Sequence, residues 1–142
     1  MDQVRELAIH STILGGMGQA GLDFKEVAGA AAEGVTVVAH YDPAFVKSEK
    51  ASKFAELWAA RYKREPDYLA ASGYDAVWMI ADAAKKVGAS RKEVTRELST
   101  MEFNGASGKV KLLPLEELRK DIVLQRWESG RLVGKENLGW IK

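Results

Sequence analysis

The sequence contains no cysteine and only two histidines, His10 and His40. Without thiols there are no disulfides, no thiolate metal sites and no cysteine nucleophile. The two histidines lie far apart in the chain, and neither belongs to a spaced ligand motif such as H-E-x-x-H. We therefore expect no metal site and no cofactor.

The chain also lacks an excess of either charge and lacks long apolar runs. It has 21 basic and 20 acidic residues, whereas a nucleic-acid binder needs a basic excess to displace counterions from phosphates. No run of about 18 apolar residues is present, so no membrane span is expected. Residues 1–7 have the pattern of an amphipathic helix and not of a signal peptide. As it stands, this beginning predicts a cytoplasmic chain or one without its native start.

Catalytic motifs are missing as well. The serines have no G-x-S-x-G context, and neither histidine comes with a triad pattern. Most acidic residues lie on predicted helix faces three or four positions from a lysine or arginine, which is typical of solvated pairs. A receiver-like domain needs an acidic cluster at the ends of its strands. Here the first predicted strand ends in glycines, and the second ends near His40 and Asp42. We expect no catalytic residues and no enzyme activity.

The first forty residues have the pattern of a strand, a helix and a second strand. Residues 11–14 are apolar and β-branched, which predicts a short buried strand. Residues 21–32 predict a helix that Asp23 caps at its start and Gly34 closes at its end. Residues 35–39 form a continuous apolar run, which favours a parallel strand covered on both faces.

The middle of the chain is predicted to be helical, over residues 48–63, 68–87 and 91–100. Residues 103–108 then predict a loop, and short strands follow at residues 110–113 and 121–127. A turn at 128–131 has glycine where positive φ is needed, which predicts a C-terminal hairpin. The fold class is therefore α/β, with Rossmann-like parallel strand–helix units and a C-terminal β-hairpin. The length of 142 residues fits one module spanning 1–142.

A glycine-rich turn at residues 15–19 is the first candidate site. It follows a predicted strand and leads towards a helix, where an anion can meet free N–H groups. The carboxyl ends of parallel strands are also where open α/β sheets bind ligands. The turn has no G-x-G-x-x-G or G-K-[ST] signature, so a tight turn without a ligand stays open as the alternative.

Aromatic residues supply the second set of candidates. Tryptophan rings form sugar platforms in some proteins, but Trp58, Trp78 and Trp127 lie at helical and strand spacing that predicts the core. Trp140, near the end, is left open between the two roles. Tyr68 stands at the start of a helix that follows a proline, where it is a candidate for lining a pocket.

Several short segments, in a fixed order along nearly the whole chain, resemble the Leu/Ile/Val-binding family of periplasmic (type I) solute-binding proteins of ABC transporters. Each segment alone is weakly specific, whereas the collinear series is fairly specific. The segments are Ile13-Leu14-Gly15-Gly16-Met17-Gly18, residues 28–35, Tyr41-Asp42-Pro43, Phe54-x-x-x-Trp58-x-x-x-Tyr62, Glu65-Pro66, residues 72–77, residues 103–110 and the hairpin at 121–133.

The resemblance reaches only the C-terminal portion of that family. It implies two Rossmann-like lobes with a ligand cleft between them, of which this chain supplies an incomplete type I fold, starting inside the second lobe. The family is periplasmic and delivers ligands to an ABC permease. The implied function is small-molecule binding for uptake, of an amino acid or an apolar or aromatic organic acid, in a truncated gene product with weak or absent affinity.

The resemblance also assigns site residues. Where the amino-acid binders have an acidic residue that contacts the ligand ammonium, this chain has Met17. A thioether offers a soft apolar surface and no charge, which favours an apolar or aromatic organic acid. Residues beside it and at the start of the following long helix are implied to line the cleft. The predicted ligand-binding residues are Gly16, Met17, Gly18, Gln19, Tyr68 and Leu69.

An incomplete fold leaves apolar faces and sheet edges uncovered. Contiguous apolar patches drive association, and open edges pair with other chains. We therefore expect a homo-oligomer. A self-associating scaffold fragment without ligand binding remains the alternative function.

Overall fold

The computed structural model describes residues 2–113 and 117–140. Within them the chain forms a mixed α/β structure, in which five helices flank six strands. Two short 3₁₀ helices, Met17–Ala20 and Gly29–Ala32, add to these. The helices are α1 (Asp2–Glu6), α2 (Leu22–Ala28), α3 (Glu49–Tyr62), α4 (Tyr68–Val87) and α5 (Arg91–Leu98). The strands are β1 (Leu14–Gly15), β2 (Thr36–Ala39), β3 (Glu102–Gly105), β4 (Gly108–Leu113), β5 (Glu117–Glu128) and β6 (Arg131–Trp140).

The long strand β5 organises the sheet. Its first residues, up to Lys120, pair with β4, while Val123 to Arg126 pair with β2. Its second part also pairs with β6 through the predicted hairpin, whose turn places Ser129 and Gly130 at positive φ. The β1–β2 pair is parallel, and the other described pairs are antiparallel. The α/β class with its C-terminal hairpin is confirmed.

Trp127 is the largest side chain in the main core. It is fully buried with Val35 and Val37, and its ring centroid lies 6.2 Å from that of Phe24. Placing Trp127 in the core was therefore correct. Trp78 was predicted to be core as well, but it is 44% exposed.

The other tryptophans differ from one another in what surrounds them. Trp58 is half-buried against Phe54 and Tyr62. Around Trp78 the described ring contacts come from Tyr74 and Lys85 on its own helix, α4. The side chain of Trp140 lies outside the described residues.

Two predictions about strands are corrected. The strand expected at residues 11–14 is only the two-residue β1, and Leu14 is 65% exposed because β1 pairs with β2 alone and lies at the sheet edge. The loop expected at 103–108 is a β-hairpin formed by β3 and β4, with its turn at Ala106 and Ser107.

Helix ends follow the local sequence more closely. α3 begins after Ser48, whose hydroxyl accepts a hydrogen bond from the Ala51 N–H, and α4 ends at Gly88 with positive φ. The predicted closure at Gly34 also has positive φ. The helix expected at 21–32 ends at Ala28 and continues as a 3₁₀ turn. Its N-cap is Gly21, so Asp23 lies in the first turn and is not the cap.

Candidate functional site

The candidate site lies where β1, β2 and α4 meet. β1 ends at Gly15 and leads into the Met17–Ala20 turn, while β2 ends directly before His40. Because the two strands are parallel, both carboxyl ends reach the same edge of the sheet. The start of α4 faces this edge, and Asp67 caps it by accepting a hydrogen bond from the Ala70 N–H at 2.9 Å.

Four side chains converge at this edge, and we call Met17, His40, Tyr68 and Ser72 the strand-tip cluster. The His40 Nδ1 atom contacts the Met17 sulfur, and its Nε2 atom lies 3.2 Å from the Ser72 hydroxyl. The Tyr68 and His40 rings meet edge to face, with centroids 5.6 Å apart. The imidazole therefore holds the glycine-rich turn and the start of α4 against each other.

His40 is uncharged in this environment. Burial, with a smaller contribution from the positive charge of Lys120, lowers the pKa of His40 to about 4. At neutral pH the ring therefore offers one hydrogen-bond donor and one acceptor without a charge. The cluster combines a thioether, two aromatic rings and a hydroxyl, which suits an apolar ligand that carries a single polar group.

Among the predicted site residues, Met17 and Tyr68 are brought together through His40. Met17 is 42% exposed and so remains accessible from solvent. Gly16 and Gly18 lie exposed on the same turn. Leu69 is 63% exposed, and consecutive helix positions point apart, so it does not join Tyr68 in the cluster.

Gln19 contributes through its backbone. Its carbonyl accepts a hydrogen bond from Trp127 Nε1 at 2.8 Å, which ties the glycine-rich turn to the buried core. Its side chain lies against Gly15, where an added Cβ would come within 3.1 Å. The turn is thereby held in place from β5.

His40 and Ser72 were missed as site residues. Ser72 stands one helical turn after Tyr68, and this i,i+4 spacing places the two side chains on one face of α4. His40 directly follows the predicted strand, at the end where ligands bind. Both signals are present in the sequence, but the pairing of residues 32 positions apart is not.

A cleft of about 670 Å³ lies on another side of Tyr68. Its wall includes Asp42, a buried carboxylate that accepts hydrogen bonds from Gln125 Nε2 at 2.7 Å and from the Ala44 N–H at 2.8 Å. Trp127 and Leu132 supply apolar wall. Because these bonds already engage both carboxylate oxygens, we give Asp42 a structural role.

Residues 2–113 and 117–140 contain neither a cluster of metal ligands nor a membrane-spanning helix. Nowhere in them do three or more His, Asp or Glu side chains come together as metal ligands. Nor does any helix there have the length and apolarity needed to cross a membrane.

Stability is expected to fall as the pH is lowered from about 7 to about 4, in part because of His40. The unfolded chain takes up a proton near the ordinary histidine pKa of about 6.5, while the folded chain resists protonation until about pH 4. The unfolded state therefore gains protons first, which favours unfolding. Urea titrations at several pH values should show that the free energy of unfolding falls less steeply with decreasing pH for His40→Gln than for the parent chain.

The matched control is His10→Gln, because His10 is exposed. Its free energy of unfolding should vary with pH as that of the parent chain does. Carboxylates elsewhere contribute equally to the pH dependence of all three proteins. Parallel curves for His40→Gln and the parent would contradict a neutral, half-buried His40.

Comparison with known proteins places this geometry in a family context. A model of the periplasmic binding protein family matches residues 1–131. A search of curated protein sequences found no match. Among solved structures, the leucine-binding protein LivK from Thermotoga maritima is 31% identical with a TM-score of 0.88, over 95% of this chain and 39% of that one.

Two other similar structures carry ligands. The substrate-binding protein LivJ from Streptococcus pneumoniae, in complex with isoleucine, is 27% identical with a TM-score of 0.83, over 96% of this chain and 40% of that one. A solute-binding protein of an ABC transporter from R. palustris, in complex with benzoate, is 28% identical with a TM-score of 0.66, over 82% and 32%. The chain thus spans less than half the length of these proteins.

Proposed function

Because this chain belongs to the periplasmic binding protein family, we propose that it binds a small organic acid for ABC-type uptake. The strand-tip cluster forms one wall of the ligand cleft, and an ABC permease in a periplasm-facing membrane is the partner. The observation that supports this most is the convergence of Met17, Tyr68 and an uncharged His40 at the carboxyl ends of two parallel strands.

The chemistry of the cluster favours an apolar or aromatic organic acid over an amino acid. An ammonium group calls for a carboxylate, and the four side chains of the cluster include none. The Met17 thioether and the edge of Tyr68 suit an aliphatic chain or an aromatic ring. The proteins similar to this chain include one bound to benzoate and one bound to isoleucine, so both ligand classes occur among them.

We expect the affinity of this chain alone to be weak. In a two-lobed cleft each lobe covers part of the ligand, and this chain corresponds to 39% of the Thermotoga protein. Contact on one side leaves much of the ligand in water, which predicts a Kd of about 1 mM, or about −4 kcal/mol.

Met17→Asp tests which ligand class the cluster prefers. Methionines labelled with ¹³C at the methyl group give one NMR signal each, so the Met17 signal reports the strand tip directly. Benzoate at millimolar concentration is expected to shift this signal in the parent chain, and leucine to shift it less. In Met17→Asp, which has no methyl signal at this position, binding is followed instead through the broadening of the benzoate ¹H signals. The aspartate should repel benzoate and weaken its binding by tenfold or more, since a like charge in the site costs at least about 1.4 kcal/mol.

Leu57→Asp is the matched control, because it adds the same charge at an exposed apolar position on α3. It should leave the benzoate response unchanged. The proposal fails if benzoate leaves the Met17 signal in place up to tens of millimolar while circular dichroism shows a folded chain. A stronger response to leucine than to benzoate would overturn the choice of ligand class.

Self-association without ligand binding is the second candidate, and one observation favours it. α4 exposes a set of large apolar side chains, namely Leu69, Val77, Trp78 and Ile80. Exposed apolar patches of this kind mark association surfaces. Light scattering on the same samples separates the two functions. A monomer at micromolar concentration that also unfolds cooperatively on heating would contradict the homo-oligomer.

A further inference from the structure

Lys120 on β5 is a buried cation that forms no direct ion pair with a carboxylate among the described residues. The residue is 7% exposed. The ion pairs within 4 Å among the described residues join Lys85 to Asp82, Lys86 to Glu97, Lys111 to Glu102 and Lys135 to Glu128, and so do not include Lys120. Burying an unpaired charge is costly, which makes this position unusual.

The ammonium group has one described hydrogen-bond acceptor. Its Nζ donates to the Ser107 hydroxyl at 2.6 Å, although an ammonium carries three N–H donors. Asp75, the nearest acidic group behind that hydroxyl, accepts bonds from the Ala106 N–H at 2.7 Å and from the N–H and hydroxyl of Ser107. Asp75 is thus bound to the hairpin turn and not directly to Lys120.

Lys120 borders a cavity of about 270 Å³. Elements α4, α5, β4 and β5 border it, with apolar walls from Met79, Val110 and Leu112 and polar groups from Asp75 and Ser107 beside Lys120. The Asp75 carboxylate is already engaged by three hydrogen bonds from the hairpin turn. Ile80 and Leu118 are exposed at its border. The volume lies just below the usual range for drug-sized ligands, which begins at about 300 Å³, so the cavity suits a small molecule.

We propose that this cavity is a second binding site, which takes a short-chain monocarboxylate. The carboxylate pairs with the Lys120 ammonium and occupies its remaining N–H donors, while the aliphatic tail packs against Met79, Val110 and Leu112. The site adjoins the strand-tip cluster and shares Ser72 with it. Ser72 borders the cavity and also contacts His40 in the cluster.

The charge on Lys120 gives the site a pH limit. Burial lowers the pKa of Lys120 to about 8, against the opposing effect of Asp75 and Asp121. The amine is therefore largely protonated at pH 7 and becomes neutral above about pH 8. A bound carboxylate favours the protonated form, so the affinity for carboxylates should decline as the pH rises from 8 to 10.

The test uses the ¹³C-methyl signal of Met79 in the full chain, with butanoate, pentanoate, hexanoate and hexanol as probes. Hexanoate is expected to shift this signal, and each added methylene to tighten binding roughly fourfold. Lys120→Met keeps the length of the side chain and removes its charge, so it should weaken hexanoate binding at least tenfold and leave hexanol binding unchanged. Lys109→Met, at an exposed lysine on β4, is the matched control.

The proposal is overturned if Lys120→Met binds hexanoate as well as the parent chain, or if hexanol binds the parent chain as tightly as hexanoate. If Lys120→Met does not fold, the parent chain decides through its pH dependence, and equal hexanoate affinity at pH 7 and pH 10 overturns the site. Met17→Asp should leave the Met79 response intact. The Met17 experiment, which tests the proposed function, and the Met79 experiment, which tests this cavity, can therefore fail independently of each other.

Discussion

Asp75→Ala is expected to lower the free energy of unfolding by about 3–5 kcal/mol, the range found when one partner of a buried charged network is removed. Asp75 is buried on α4 and accepts hydrogen bonds from the backbone N–H groups of Ala106 and Ser107. Alanine leaves both N–H groups without an acceptor and removes a negative charge that acts on Lys120. Since domains of this size are stable by about 5–15 kcal/mol, much of the stability depends on this residue.

Urea unfolding followed by circular dichroism measures the effect, with Asp82→Ala as the control on the same helix. Asp82 is partly exposed and lies 3.6 Å from Lys85, so its loss should cost about 0.5 kcal/mol or less. Similar losses for the two variants would show that Asp75 does not hold the hairpin. Gly105 tests the same contact from the other side, because an added Cβ would lie 2.2 Å from the Asp75 carboxylate.

Trp127→Ala is expected to cost about 3–5 kcal/mol, as large-to-small changes of aromatic core residues do. The indole is fully buried and packs near Phe24. Trp127→Phe keeps most of the apolar volume and removes the hydrogen bond from Nε1 to the Gln19 carbonyl, for a cost of about 1 kcal/mol. The phenylalanine variant should also alter the NMR signal of the Met17 methyl group, since the turn loses its anchor.

Trp78→Ala is the control for this pair, because Trp78 is half-exposed, and it should cost about 1 kcal/mol. A Trp127→Ala variant no less stable than Trp78→Ala would contradict the burial of Trp127. An unchanged Met17 signal in Trp127→Phe would show that the hydrogen bond does not position the turn.

Features set by neighbouring residues were predicted well from the sequence. The range expected for the long helix, 68–87, matches α4, and Gly88 ends it, because helix ends depend on caps and on breakers such as Pro66. The C-terminal hairpin follows from a two-residue turn that needs positive φ, which Ser129 and Gly130 supply. These signals act within a few positions of the chain.

Features that depend on distant contacts were missed. The glycine-containing segment 103–108 has the composition of a loop, and its hairpin turn donates two backbone hydrogen bonds to Asp75, some 31 residues earlier. His40 was weighed as a metal ligand and not as part of the strand tip, because only the fold places it between Met17 and Ser72. Periodicity and turn residues predict elements, but they do not show which side chains from different elements will meet.

The pairing of β5 also has a mechanical meaning. Lys120 is the last residue of β5 that pairs with β4, and Val123 is the first that pairs with β2, so Asp121 and Ile122 connect the two zones and pair with β6 alone. Rotation of the β3–β4 hairpin relative to β1 and β2 would require backbone torsion changes in these two residues, which form a joint between the two zones. The pairing with β6 already shifts register there, between Ile122 and Val123. Torsion at the joint would move Val110 and Leu112 on β4, and with them one wall of the Lys120 cavity, relative to β1 and β2.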